Sequence, residues 1–335
     1  MPTIGATLVL QKSNADGIEE HILPPYHPFR SEAAKREYLS YYDLRAREWP
    51  VPAVERLVKT SQGHTHVRVS GPSEASPLVL LPGINASSLM WLPNVATLSR
   101  EMRVYAVDNI YDFGRSVWEQ PFSKPDDFVR WLDELFTELS LGNSINLAGI
   151  SYGGWIASQY ALRFPARLRA LVLIAPVFTV LPLRVEFIAR ALLCMIPYRG
   201  FTRSFVHWLA QDAVEKNEAT RHLVDQMVED GYLGFRSFAP KLSVAPTILN
   251  DEQLRAIKAP TLYVVGENER LNSAAAAIAR LNEVAPGIAT LLIPGAGHDL
   301  TIAQAELFNR TMVEFLDLLK LFDPKAVNAS FRQLS

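Results

Sequence analysis

The sequence predicts an α/β fold in which a mostly parallel, doubly wound sheet is interrupted by a helical cap inserted between two of its strands. Three observations lead there. Short apolar runs of strand length alternate with segments of helical period from Leu78 onward; the alternation lapses between Pro176 and Pro260; and a glycine-flanked serine, Ser151, stands where an apolar run gives way to a helical segment.

The opening thirty or so residues carry Pro24, Pro25 and Pro28 among polar residues and read as an irregular arm. Uninterrupted helix formers predict a helix over Glu32–Arg47, closed by Trp49-Pro50. Ala53–Lys59 and His64–Ser70, joined through Gly63 and ended by Gly71-Pro72, read as two strands of an antiparallel hairpin. Leu78-Val79-Leu80-Leu81 is continuously apolar, as a strand covered on both faces must be, and enters the turn Pro82-Gly83. Val104–Val107 is the next strand and ends at Asp108. Ser123 opens a capping box with Asp126, after which Phe128, Leu132, Leu135 and Leu139 recur at helical spacing and form one sheet-covering face.

Ile145–Ala148 is a third such strand, the segment after Gly153 a helix with Ile156 and Tyr160 on one side, and Leu168–Ala175 a fourth strand. Between Pro176 and Pro260 only helical patterns occur: Phe187–Met195, Phe205–Leu209 and Leu223–Met227, with Gly231 and Gly234 as breakers. After a short helix begun by Asp251, the alternation resumes with the strand Thr261–Val265, a helix from about Ser273, the strand Ala289–Ile293 and a last helix with Phe308, Met312, Phe315 and Leu319 on one stripe. The chain thus divides into an arm and helix (1–50), a first core part (51–176), the cap (177–258), a second core part (259–323) and a tail (324–335). A helical insertion between sheet strands is most simply a lid over the carboxyl ends of the strands, where open α/β sheets place their ligands.

Composition narrows the function. A net charge of -2 and a pI near 6.4, with no cluster of Lys and Arg, disfavour nucleic-acid binding. The one cysteine, Cys194, rules out an intrachain disulfide, fits a reducing compartment and reads as a small buried hydrophobe. The N-terminus lacks a signal-peptide pattern, and the most apolar stretch, about Leu168 to Ile196, is broken by Pro176, Pro182, Arg184, Glu186 and Arg190. A cytoplasmic protein without stable membrane insertion is therefore expected. Oligomeric state is left open. No histidine has zinc-type spacing with cysteine or acidic partners, so neither metal nor cofactor is expected.

The chemistry concentrates at Gly149-Ile150-Ser151-Tyr152-Gly153-Gly154. A serine between glycines at a strand-to-helix turn projects its hydroxyl from the sheet edge, and the N–H of Tyr152, at the positive end of the next helix, faces the place where an oxyanion would form. The turn Pro82-Gly83-Ile84-Asn85 supplies a second donor, the N–H of Ile84. Serine needs a base. His298, in the glycine-bearing loop Pro294-Gly295-Ala296-Gly297-His298 after a buried strand, fits; His21 and His27 lie in the arm, His64 and His66 on a peripheral strand, and His207 and His222 on cap helices. The imidazole in turn needs an anion, and the loop Gly266-Glu267-Asn268-Glu269-Arg270 offers Glu269, with Glu267 open as its rival; Asp299 adjoins His298 too closely to orient it.

These motifs, with Asp108 and Gly114-Arg115-Ser116 after the next strand, make the sequence similar to the α/β-hydrolase superfamily over about residues 50 to 322. Ser88-Leu89-Met90-Trp91-Leu92-Pro93-Asn94, Tyr105-Ala106-Val107-Asp108 and Trp131-Leu132-Asp133 carry a narrower resemblance to bacterial carboxylesterases that cleave arylpropionate esters such as naproxen esters. The resemblance implies Ser151 as nucleophile, His298 as general base and backbone oxyanion donors at Ile84 and Tyr152. Two departures stand out: relatives often have His-Gly where this chain has Pro82-Gly83, so that loop must be supported from elsewhere, and Asp is the commoner acid where this chain has Glu269.

The expected activity is hydrolysis of a small-molecule carboxylic ester through an acyl-enzyme. Phe178, Phe187, Leu192, Met195, Phe205 and Trp208 of the cap are candidates for an acyl or aryl pocket, with packing of the cap on the core as the competing role for each. Lactone or carbon–carbon bond hydrolysis, cofactor-free perhydrolysis, and ligand binding without catalysis are the alternatives on the same fold.

Overall fold

The computed structural model describes residues 10–13 and 19–321. Eleven strands are present among them: β1 (Leu10–Ser13), β2 (Glu19–Ile22), β3 (Ala53–Thr60), β4 (Gly63–Ser70), β5 (Pro77–Leu81), β6 (Arg103–Val107), β7 (Val117–Trp118), β8 (Ile145–Ile150), β9 (Leu168–Ile174), β10 (Thr261–Gly266) and β11 (Ile288–Ile293). The helices are α1 (Glu32–Ala46), α2 (Leu92–Glu101), α3 (Pro125–Glu138), α4 (Tyr152–Arg163), α5 (Val185–Cys194), α6 (Arg199–Leu209), α7 (Gln211–Lys216), α8 (Glu218–Ser237), α9 (Asp251–Ala256), α10 (Ala274–Val284), α11 (Leu300–Ala303) and α12 (Ala305–Leu321).

Nine strands form one sheet in the order β11-β10-β9-β8-β5-β6-β4-β3, with β7 paired to β4. From β11 to β6 every neighbour is parallel, while β4 runs antiparallel to β6, β3 and β7. Every residue of β8 and β10 is buried, which accounts for their lack of polar alternation: helices cover both faces. On α3 and its C-terminal cap the stripe Phe128, Leu132, Leu135 and Leu139 is buried, and on α12 Phe308, Met312 and Phe315 are. Trp131 Nε1 donates to Thr65 Oγ1 at 2.8 Å, and Asn94 of α2 bonds Asn309 of α12 at 2.9 Å, so the covering helices are fastened by buried polar contacts as well as apolar area.

The cap helices α5–α8 lie in the chain between β9 and β10. Gly231 and Gly234 do not break the chain there; both sit inside α8. A Cβ at Gly234 would run into the Phe113 ring, so glycine, although unfavourable within a helix by about 1 kcal/mol against alanine, lets α8 close on the loop after β6. The rings of Phe29, Tyr38 and Phe238 cluster at centroid distances of 4.4 to 5.6 Å, and Arg45 meets Asp230 at 3.4 Å, joining α1 to the C-terminal half of α8.

Other differences from expectation are local. The arm is not wholly irregular, since β1 and β2 pair antiparallel; a two-stranded ladder of four residues a side leaves little sequence signal. The start of α3 is shifted by one residue: Asp127, not Asp126, accepts the N–H groups of Ser123 and Lys124, because Pro125 occupies the first helical position. The short helical turn Ser88–Trp91, α2 and β7 were not expected. The anticipated tail, 324–335, lies outside the described residues.

Candidate active site

Ser151 stands between β8 and α4 with φ 53° and ψ -116°, a backbone conformation that a residue with a side chain adopts only under strain. Its place is set from both sides. Its N–H donates to Ile174 O of β9 at 2.9 Å, and its carbonyl accepts the N–H groups of Trp155 and Val177, each at 3.1 Å. The flanking glycines are sterically required: a Cβ at Gly149 would collide with the carbonyl of Gly153, and one at Gly153 with those of Leu81 and Pro82. The chain therefore turns sharply enough to pass the serine over the carboxyl end of β8.

The same crowding brings the turn after β5 against the serine, since a Cβ at Gly83 would lie 3.6 Å from that of Ser151. Three anchors hold this loop: Gly83 N–H on Met90 Sδ at 3.2 Å, Asn85 N–H on Asp112 Oδ1 at 2.9 Å, and Ser88 N–H on Asp108 Oδ1 at 2.7 Å. The N–H groups of Ile84 and Tyr152 have no hydrogen-bond partner among the described residues. Two unpaired donors flanking a serine are suited to accept negative charge.

His298 and Glu269 follow β11 and β10 at the same edge of the sheet. Glu269 Oε2 lies 3.0 Å from His298 Nδ1, and both side chains are buried. Glu269 Oε1 accepts the N–H groups of Arg270 at 2.7 Å and Leu271 at 2.9 Å, so the loop's own backbone fixes the carboxylate. Glu267 points elsewhere, accepting the Gly295 N–H at 3.2 Å. Burial opposes both charges of the pair. Even so, the imidazolium and these hydrogen bonds hold the Glu269 pKa below its ordinary value, and Glu269 raises that of His298. Asp299 serves structure: its carboxylate accepts Ala213 N–H of α7 at 2.6 Å and Gly297 N–H at 3.0 Å, tying the cap to the histidine loop. The Ser151 hydroxyl makes no hydrogen bond to a described residue, His298 included; such bonds often form only when substrate arrives.

His66 was expected on a peripheral strand, but β4 is interior and the ring is buried, with Nδ1 3.0 Å from Asp108 Oδ2 and Nε2 3.3 Å from Glu55. Asp108 also accepts from Tyr42 Oη at 3.0 Å, Ser88 N–H at 2.7 Å and Arg115 N–H at 2.8 Å. Burial alone would raise its pKa, but the His66 charge and this set of donors bring it down to about 2. Asp108 is thus the buried anchor of the loops after β5 and β6, a role only long-range pairing reveals. Asp108→Ala is expected to reduce stability by on the order of 3 kcal/mol, read as a lower urea midpoint, because several buried donors lose their acceptor. The pH dependence has a definite sign: with a depressed folded pKa, Asp108 stabilises above its ordinary 3.8, and the contribution is lost as pH falls through about 2.

Among the cap residues expected near a pocket, Phe187 and Phe205 pack edge to face at 5.6 Å, and Phe205 stacks on Trp208 at 6.3 Å. Arg190 and Arg270 lie over the Trp208 ring at 4.8 and 5.2 Å, and Phe178 packs against the core with φ 56°. Leu192 of α5 and Met195 at its C-terminal cap are 60% and 65% exposed. Cys194 between them is buried, and burial pushes its thiol up to about 11. Among the described residues no group of three or more His, Cys, Asp or Glu side chains could hold a metal ion, and no helix is long and apolar enough to cross a membrane.

A parallel sheet that turns antiparallel at one edge, a helical cap between β9 and β10, and a strained serine between β8 and α4 together define the α/β-hydrolase fold. The chain belongs to the alpha/beta hydrolase family, whose model matches residues 78–311. It is 31% identical to the uncharacterized carboxylesterase nap of Bacillus subtilis (strain 168), covering 84% of this chain and 92% of that one, and 31% identical to carboxylesterase YbfK of the same strain, covering 85% and 95%. The crystal structure of naproxen esterase (carboxylesterase NP) from Bacillus subtilis superposes with a TM-score of 0.77 at 30% identity, covering 85% of this chain and 99% of that one.

Proposed function

We propose that this protein is a serine esterase that cleaves carboxylic esters bearing an apolar acyl or aryl group through an acyl-enzyme. The observation that carries the reading is the contact of 3.0 Å between His298 Nδ1 and a backbone-anchored Glu269, at the sheet edge where a strained serine projects. With Nδ1–H donated to Glu269, Nε2 is left as the basic nitrogen. Nε2 takes the Ser151 proton as Oγ attacks the ester carbonyl; the N–H groups of Ile84 and Tyr152 hold the developing oxyanion; and protonated His298 gives its proton to the departing alkoxide. Water then attacks the acyl-enzyme by the same route, releasing the acid and restoring Ser151. The ester reading is supported by the carboxylesterase relatives, and the apolar preference by the naproxen esterase likeness and by the aromatic residues Phe178, Phe187, Phe205 and Trp208 in and beside the cap.

Organophosphonate labelling followed by intact mass and peptide mapping tests the nucleophile: one adduct on the Ser151 peptide is expected, and an unlabelled folded protein rejects the catalytic reading. A p-nitrophenyl ester series tests the pocket. Arylpropionate or medium-chain esters are expected to exceed acetate in kcat/KM by about tenfold or more, the usual effect of filling an apolar site with added carbons. Equal rates across acyl shapes would remove the apolar-pocket element and leave the esterase reading standing.

A further inference from the structure

The loop after β5 has no histidine before Gly83 to brace it, yet it must hold Asn85 at φ 57°, in the left-handed region. We propose that Asp112 is the brace: a positioning residue that, through the Asn85 N–H, keeps the Ile84 N–H unpaired and beside Ser151. The inference rests on Ile84 as an oxyanion donor. Asp112 lies in the loop after β6, 27 residues from Asn85, and is almost wholly buried. Its Oδ1 accepts the N–H of Asn85 and that of Phe113, both at 2.9 Å, so one oxygen couples the candidate oxyanion loop to the loop that packs under the cap at Gly234.

Two further facts favour positioning over incidental structure. Asp112 makes no ion pair within 4.0 Å among the described residues, and a buried carboxylate without one is costly, so a filler at this place would be apolar. Of the two compensating bonds one goes to the backbone next to Ile84 and the other to Phe113 of its own loop, and neither goes to a neighbouring cation. Lys241, whose charge acts on Asp112, lies over the rings of Tyr111 and Phe113 at 5.2 and 5.8 Å. Burial drives the Asp112 pKa up, with Lys241 and the two N–H groups acting against it, to about 6. The Asn85 anchor is also central, between those at Gly83 and Ser88; removing it frees the stretch that carries Ile84 while both ends stay fixed.

The test compares Asp112→Ala, Asp112→Asn and the near-isosteric Asp112→Leu with the parent, by steady-state kinetics on one aryl ester, thermal melting, and a Ser151→Ala control. Asp112→Ala and Asp112→Leu are expected to lose kcat by about 50-fold with KM within about threefold, somewhat less than the loss of a whole oxyanion donor. Asp112→Asn, whose amide oxygen can accept the same two N–H groups, is expected to restore kcat to within about fivefold of the parent. If Asp112→Ala fails to fold, Asp112→Leu carries the comparison, since it fills the site with the same branched outline and lacks the acceptor oxygens. Parental kcat in a folded Ala or Leu variant, or a loss that tracks the folded fraction alone, overturns the positioning role and leaves the esterase reading intact. A parent without Ser151-dependent turnover overturns both.

Discussion

Ser151→Ala is expected to lower kcat on any ester substrate by roughly 10⁴- to 10⁶-fold while leaving the fold intact. The size follows from the chemistry assigned to Oγ: without it no acyl-enzyme forms, and what remains is water attack on a carbonyl still bound by the oxyanion donors. The fold should survive because the backbone of Ser151, not its hydroxyl, makes the contacts to Ile174, Trp155 and Val177. Alanine keeps a Cβ at φ 53° and so keeps the strain, whereas glycine relieves it. Ser151→Gly should therefore be as inactive as Ser151→Ala but more stable by on the order of 1 kcal/mol, as for other residues held in disfavoured backbone regions. Parallel urea titrations with kcat measurements check both halves. A purified Ser151→Ala enzyme, free of host esterases, that turns over at the parental rate would exclude Ser151 as nucleophile.

The fold was largely legible because its signals are local. Strands covered on both faces must be continuously apolar, and the runs at Leu78, Ile145 and Thr261 say so without reference to anything distant. The loops that carry Ser151, Glu269 and His298 are likewise marked by glycines at strand ends. Illegible were the features that depend on residues far apart in the chain. Nothing in the local sequence tells that Gly234 continues a helix, because its reason is a phenylalanine 121 positions earlier pressed against it. His66 looks like an edge residue until Asp108, 42 positions on, is seen beneath it. Asp112 resembles a loop carboxylate among several; only the αL conformation of Asn85 distinguishes it. Choosing Glu269 over Glu267 was a matter of two residues, and the local pattern alone offers no criterion. What separates them in space is that Glu269 folds back onto its own backbone while Glu267 reaches the glycine turn before His298.

That difference makes Glu269→Gln the sharpest test of the acid. In the parent, Oε1 receives two backbone N–H groups and Oε2 faces His298 Nδ1. A glutamine has one oxygen, and the two backbone donors demand it; the amide NH₂ is then turned toward Nδ1, which must become an acceptor. The imidazole proton moves to Nε2, and a histidine protonated there cannot take a proton from Ser151. Glu269→Gln is therefore expected to reduce kcat by roughly 10³- to 10⁴-fold with little change in size or packing, the scale on which a wrong tautomer acts in such a triad. The pH profile gives an independent reading. Burial lowers the His298 pKa, but the charge of Glu269 and its hydrogen bond outweigh that and leave it above 6.5 in the parent, so activity should fall on the acid side below a limb above 6.5. Once the charge is removed burial acts unopposed by it, and the limb of any residual activity should move to lower pH. A variant with an unshifted limb and near-parental kcat would transfer the role to another carboxylate, with Glu267→Gln as the next measurement.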